Sequence, residues 1–163
     1  MRSVSCVISG LTAAALLWSS SIAIANAEAP RKILCSALDT AQQHNNSVGD
    51  DIDNMRTTLQ NVFVQGGKIQ TTNNISITVN RDVEVLKSDA SGIGDAGLAS
   101  AVNALGGAVD NMRQSVDGLF GTSYATEGNP IPSPDTYGFV DAAGDKQQAV
   151  AAVLNQLRTG GCS

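Results

Sequence analysis

The chain has 163 residues, with 10 Lys+Arg against 15 Asp+Glu for a formal charge of −5, and its pI is near 4.6. A chain of this length supports one modest core rather than two domains. The acidic balance, with Arg31-Lys32 as its longest basic run, argues against a nucleic-acid surface, which needs clustered cations.

Residues 1–27 carry the three parts of a secretory signal peptide: a basic start at Arg2, an apolar run from Leu11 to Trp18, and small residues at Ala25-Asn26-Ala27. The apolar run is too short, and too interrupted by Ser19–Ser21, for a membrane span. Cleavage after Ala27 is expected to leave 28–163 as a single helical domain with no integral membrane segment, secreted or periplasmic. Cys6 and Trp18 would leave with the signal, and the net charge would become one unit more negative.

Two cysteines then remain, Cys35 and Cys162, close to opposite ends of the mature chain. An even pair in an oxidising compartment points to one structural disulfide. Neither cysteine sits in C-x-x-C or C-x-x-C-H, and Lys32-Ile33-Leu34 is not a lipoprotein-processing pattern.

The first helix, expected over about 33–64, shows Leu34, Leu38, Ala41, Asn45, Val48, Ile52, Met55, Leu59 and Val62 spaced by four and three. That is a heptad-type, coiled-coil-like stripe with a solvated face between its members. Gly66-Gly67 ends it. At about 45 Å this helix is longer than the others, and its excess is available for self-association.

Residues 75–86 read two ways. With period two, Ile75-Ser76-Ile77-Thr78-Val79 and Val83-Glu84-Val85 form a β-hairpin, which the β-branched composition favours. With the helical period, Ile75, Val79, Val83, Leu86, Ala90 and Ile93 form a face of a helix over about 74–90. Chain parity decides between them. In an up-and-down bundle Cys35 and Cys162 meet only if the number of long elements is even. Four helices are therefore expected, with the hairpin as the alternative.

Gly92, Gly94 and Gly97 form a joint, and a third helix over about 97–120 carries Leu98, Val102, Leu105, Val109, Met112, Val116 and Leu119. An irregular loop is expected over 121–133, where Pro130, Pro132 and Pro134 bias the backbone toward an extended course. The fourth helix, about 139–159, shows Phe139, Ala143, Val150, Leu154 and Leu157, and Ser133-Pro134-Asp135 offers an earlier start signal. The fold class is thus all-α: an elongated up-and-down bundle of four helices closed by one disulfide.

The segment from Asp53-Asn54-Met55-Arg56 aligns with that from Asp110-Asn111-Met112-Arg113 at an offset of 57, as an internal repeat. Packing explains Met55 and Met112 but explains less well the polar members Asn54, Arg56, Asn111 and Arg113, which become candidate partner-binding residues. The loop region adds Tyr124, Ile131 and Tyr137.

Other chemistry is thinly supported. His44, the only histidine, could pair with Met55 or Met112 on haem or a metal, yet a lone histidine on a polar helix face is usually solvated. Asp50-Asp51-x-Asp53 sits inside a strong helix rather than around a glycine turn, so calcium binding is not expected. There is no G-x-S-x-G elbow, and five aromatics after residue 27 would line a carbohydrate cleft sparsely. Asn45-Asn46-Ser47 and Asn74-Ile75-Ser76 fit the N-glycosylation pattern. The expectation is a non-enzymatic exported protein, without cofactor or metal, that binds another protein or a cell-envelope component and can form a homo-oligomer. The alternative is a carrier of a small apolar ligand, lipid or haem, between the helices.

Overall fold

Among the described residues four helices form, where apolar residues recur at spacings of four and three. The computed structural model describes residues 32–65, 70–121 and 134–163. Its elements are α1 (Cys35–Gln65), α2 (Gln70–Ile93), α3 (Ala96–Gly121) and α4 (Pro134–Thr159). Among the described residues there is no strand, and the hairpin alternative for 75–86 does not occur. No helix among them is long and apolar enough to cross a membrane.

The helices pack as a ring, α1 on α2, α2 on α3, α3 on α4 and α4 on α1, with the core between them. Specific contacts show that α1 and α2, α3 and α4, and α4 and α1 run antiparallel. His44 near the start of α1 meets Asp89 near the end of α2, and Ser115 late in α3 donates a 3.0 Å hydrogen bond to Thr136 early in α4. Arg158 late in α4 binds Asp39 early in α1. This is the up-and-down arrangement that parity required.

α2 folds as a helix against its β-rich composition because its helical stripe is the one that gets buried. Val79, Val83, Leu86, Ala90 and Ile93 all lie in the core. Fully burying such side chains contributes roughly 1.5–3 kcal/mol each, whereas β-branched residues cost helices only about half a kcal/mol. Burial wins. The helix is also longer than expected at both ends.

The core follows the expected stripes closely in α1 and α3, where Leu38 to Leu59 and Leu98 to Val116 are buried at the stripe positions. Val62 and Leu119 have side chains outside the described residues. Two stripe assignments need correction. Leu34 is 58% exposed because it precedes the first helical turn, and Phe139 is 39% exposed because Val140 takes the buried place. Counting back from Leu154, the buried positions of α4 are Val150, Ala143, Val140 and Thr136, a four-and-three rhythm that skips Phe139. α4 accordingly starts at Pro134, ahead of the expected 139, and continues through Gly138 and Gly144.

The α2–α3 connection is a tight turn. Gly94 has φ +76° and donates its N–H to the Ala90 carbonyl at 3.0 Å, while the Asp95 carboxylate accepts the Leu98 N–H at 2.8 Å. A left-handed glycine ends one helix and an aspartate N-cap begins the next.

The chain ends are fastened twice. Cys35 and Cys162 form a disulfide with Cα atoms 5.0 Å apart. Beside it the Cys35 N–H donates to the Ser163 carbonyl at 3.1 Å, and the Ser163 N–H donates to the Ile33 carbonyl at 3.0 Å.

Candidate functional site

The offset of 57 that aligns the two Asp-Asn-Met-Arg segments also pairs buried positions around the ring. Ala41, Val48, Ile52, Met55 and Leu59 of α1 correspond to Leu98, Leu105, Val109, Met112 and Val116 of α3. Val79, Val83, Leu86 and Ile93 of α2 correspond to Thr136, Val140, Ala143 and Val150 of α4. Because the α1–α2 hairpin corresponds to α3–α4, each surface of one half has a counterpart on the other. Differences between counterparts locate what the bundle itself does not require.

The two Asp-Asn-Met-Arg segments differ in this way. Arg56 donates to Asp53 at 2.6 Å and across to Asp141 of α4 at 2.8 Å, so it ties two helices together. Its counterpart Arg113 faces Asp117 of its own helix at 3.7 Å. The residue corresponding to Asp141 is Glu84, which accepts instead from Lys87 at 2.6 Å, and Lys87 stands where α4 has Gly144. Asn54 and Asn111 are exposed. The polar members of the repeat therefore do not present one motif twice. Tyr137 is half-buried against the core, and Tyr124 and Ile131 lie outside the described residues.

His44 and Asn45 serve helix–helix contacts. His44 Nδ1 lies 2.6 Å from Asp89 Oδ2, an α1–α2 tie. Asn45 is buried and joined to α4 by reciprocal bonds: its Nδ2 donates to the Gln147 carbonyl at 3.4 Å, and Gln147 Nε2 donates to the Asn45 carbonyl at 3.1 Å. The Asn45 sequon is thus closed to glycosylation in the folded protein, while Asn74 is exposed. Burial, with the Asp82 and Asp50 carboxylates beside it, pushes the Asp51 carboxyl above the ordinary aspartate range, against a smaller opposing pull from Arg81. Among the described residues no group of three or more His, Cys, Asp or Glu is placed to hold a metal ion.

A cleft of about 230 Å³ opens between α2 and α3, lined by Lys87, Ala90, Ser91, Ala99, Val102 and Asn103. Its counterpart between α4 and α1 is closed by the Asn45–Gln147 pair, since Val102 corresponds to Asn45 and Ala90 to Gln147. Small apolar residues leave open on one side what two amides fill on the other. Gly106 shapes the cleft's edge: a Cβ there would come 2.9 Å from Lys87 Cε, so the lysine stem lies across the glycine.

The least explained surface is the outer face of α2. Ile77 is 61% exposed and Val85 is 40% exposed, with the mostly exposed Arg81 between them along the helix. On a solvated helix face each such β-branched residue costs about half a kcal/mol relative to alanine, and exposure returns little of it by burial. α4 shows that the hairpin does without them, since its corresponding outer positions include Gly138 and Ala142 in place of Arg81 and Val85. Sequence reasoning missed this face because the strand reading placed Ile77 with Ile75 and Val79. Subtracting the helical stripe first leaves Ile77 and Val85 as apolar residues without a place in the core, and that was the available signal.

Comparison with protein-family models, with curated proteins and with solved structures finds no match for this chain.

Proposed function

We propose that this is an exported, non-catalytic helical bundle that acts by binding another protein through the outer face of α2. The observation that carries the reading is the exposed pair Ile77 and Val85 flanking Arg81, where α4 has Pro134, Ala142 and Gly138 at the corresponding positions and exposes one large apolar side chain, Phe139, beside them. Apolar side chains around an arginine match the composition of protein-binding patches. Arg56, Arg158 and His44 of α1 and α4 are engaged differently, each tying one helix to its neighbour. Export is supported by the signal-like residues 1–27 and by the disulfide, which persists in oxidising compartments. The carrier reading has weaker support, because the α2–α3 cleft of about 230 Å³ is below the roughly 300–1,000 Å³ of typical ligand pockets, and Lys87, Ser91 and Asn103 make its lining partly polar.

Site-specific photo-crosslinking in the native source tests the reading. A benzophenone side chain in place of Ile77 should yield a defined protein adduct, and the same probe at Ala142, the counterpart of Val85 on α4, should not. No adduct from position 77, or equal labelling from both positions, counts against the proposal.

A further inference from the structure

Resting on the protein-binding reading above, we propose that the partner is a second copy of this chain, docked antiparallel across the outer face of α2 on a two-fold axis. The face carries its own complement. Ile77, Arg81, Glu84 and Ser88 are spaced four, three, four and are all exposed, forming an outward stripe opposite the buried one. An antiparallel pairing with its axis between Asp82 and Val83 sets Arg81 against Glu84 of the second copy, and Glu84 against Arg81 of the second copy. The same register lays each Ile77 over the small Ser88 opposite. Both chains then use one surface patch reciprocally, as a two-fold interface requires.

Charge decides the direction. A parallel two-fold pairing would bring Arg81 against Arg81 and Glu84 against Glu84, which is repulsive at both places. It also favours α2 over α4. The corresponding stripe of α4 includes Gly138, Asp141 and Asp145, with no cation to meet the acids. Within one chain Arg81 and Glu84 already have partners, Asp82 at 3.2 Å and Lys87 at 2.6 Å. Both are exposed pairs one and three residues apart, weak enough to share their charge with a second copy.

One helix face is a small interface, so the dimer belongs to the weak class, in the micromolar range of dissociation constants. Sedimentation of the oxidised mature chain, residues 28–163, from about 10 to 500 μM brackets that range. Wild type should convert from monomer to dimer. Ile77→Asp, Arg81→Glu and Glu84→Arg should each weaken association by about tenfold or more, with circular dichroism showing the helices intact. The double variant Arg81→Glu/Glu84→Arg exchanges both charges and should recover most of the affinity. A monomer throughout overturns the proposal, as does a dimer insensitive to these changes or a charge-swapped protein no better than its single parents. If purified chain stays monomeric while position 77 crosslinks a different protein, the second copy is wrong and the protein-binding reading stands. If neither occurs, both fall.

Discussion

Replacing Cys35 and Cys162 together by alanine tests the closure of the bundle. The bridge joins residues 127 positions apart. The chain-entropy expression for a loop of that size gives about 5 kcal/mol, acting through the denatured chain, and residual denatured-state structure lowers it toward about 3 kcal/mol. Against a typical total of about 5–15 kcal/mol this is a large fraction. Urea unfolding followed by circular dichroism should show the midpoint falling by about 2 M for a slope near 2 kcal/mol per M. The slope itself should rise, because the unlinked denatured chain exposes more surface. The folded baseline should keep its helical signal, since the core of α1 and α4 and the Arg158–Asp39 and Asn45–Gln147 contacts do not depend on the sulfurs. A loss below about 1 kcal/mol with an unchanged slope would refute the entropic account. A lowered helical baseline would show instead that the bridge organises the native state.

Four further measurements follow from the packing. Gly107→Ala meets nothing within 4 Å and should raise stability by about 0.5–1 kcal/mol in urea unfolding, whereas Gly106→Ala must move Lys87 and should gain less; equal gains would remove Gly106 as the seat of that lysine. Ser76→Ala deletes a buried hydroxyl with no partner among the described residues and should stabilise by about 1 kcal/mol; a loss would show that the hydroxyl is bonded. Met112→Ala, at a fully buried position, should cost about 2–5 kcal/mol in the same assay, and a cost under about 1 kcal/mol would contradict its place in the core. Asp51 has a folded pKa raised above its unfolded one, so the native state holds the extra proton and stability falls as pH rises through the interval just above the ordinary aspartate range. Asp51→Asn should therefore raise the melting temperature near neutral pH, with little effect near pH 3; the reverse order would refute it.

Much of the fold was legible because its strongest determinant, apolar spacing, is local. The stripes of α1 and α3 could be counted directly, and Met55 and Met112 are buried where the count puts them. α2 was not decidable from its own residues, since Ile75, Ile77 and Val79 satisfy period two as well as Ile75 and Val79 satisfy the helical one. The parity of Cys35 and Cys162, a constraint from the far ends of the chain, favours the helix that α2 forms. The first half of α4 was misread by one position because Phe139 outweighs Val140 in hydrophobicity, and only the three-residue step from Val140 to Ala143 distinguishes them. Buried Ser76 and Thr136 could not be foreseen: a polar side chain's place in a core depends on what faces it from another helix, as Ser115 faces Thr136. The candidate surface escaped for the same reason. Exposure of Ile77 is a statement about what fails to cover it, and local sequence does not carry that.

The paired fastening of the chain ends has a mechanical consequence. Tension applied through the segments flanking Cys35 and Cys162 runs from one sulfur to the other and bypasses all four helices. Both flanks also emerge at one pole, beside the Ile33–Ser163 hydrogen bond. Oxidised, tension between the two flanks passes through the sulfurs without loading the core; reduced, the same pull would be carried by α1 and α4 and would peel them apart from that pole.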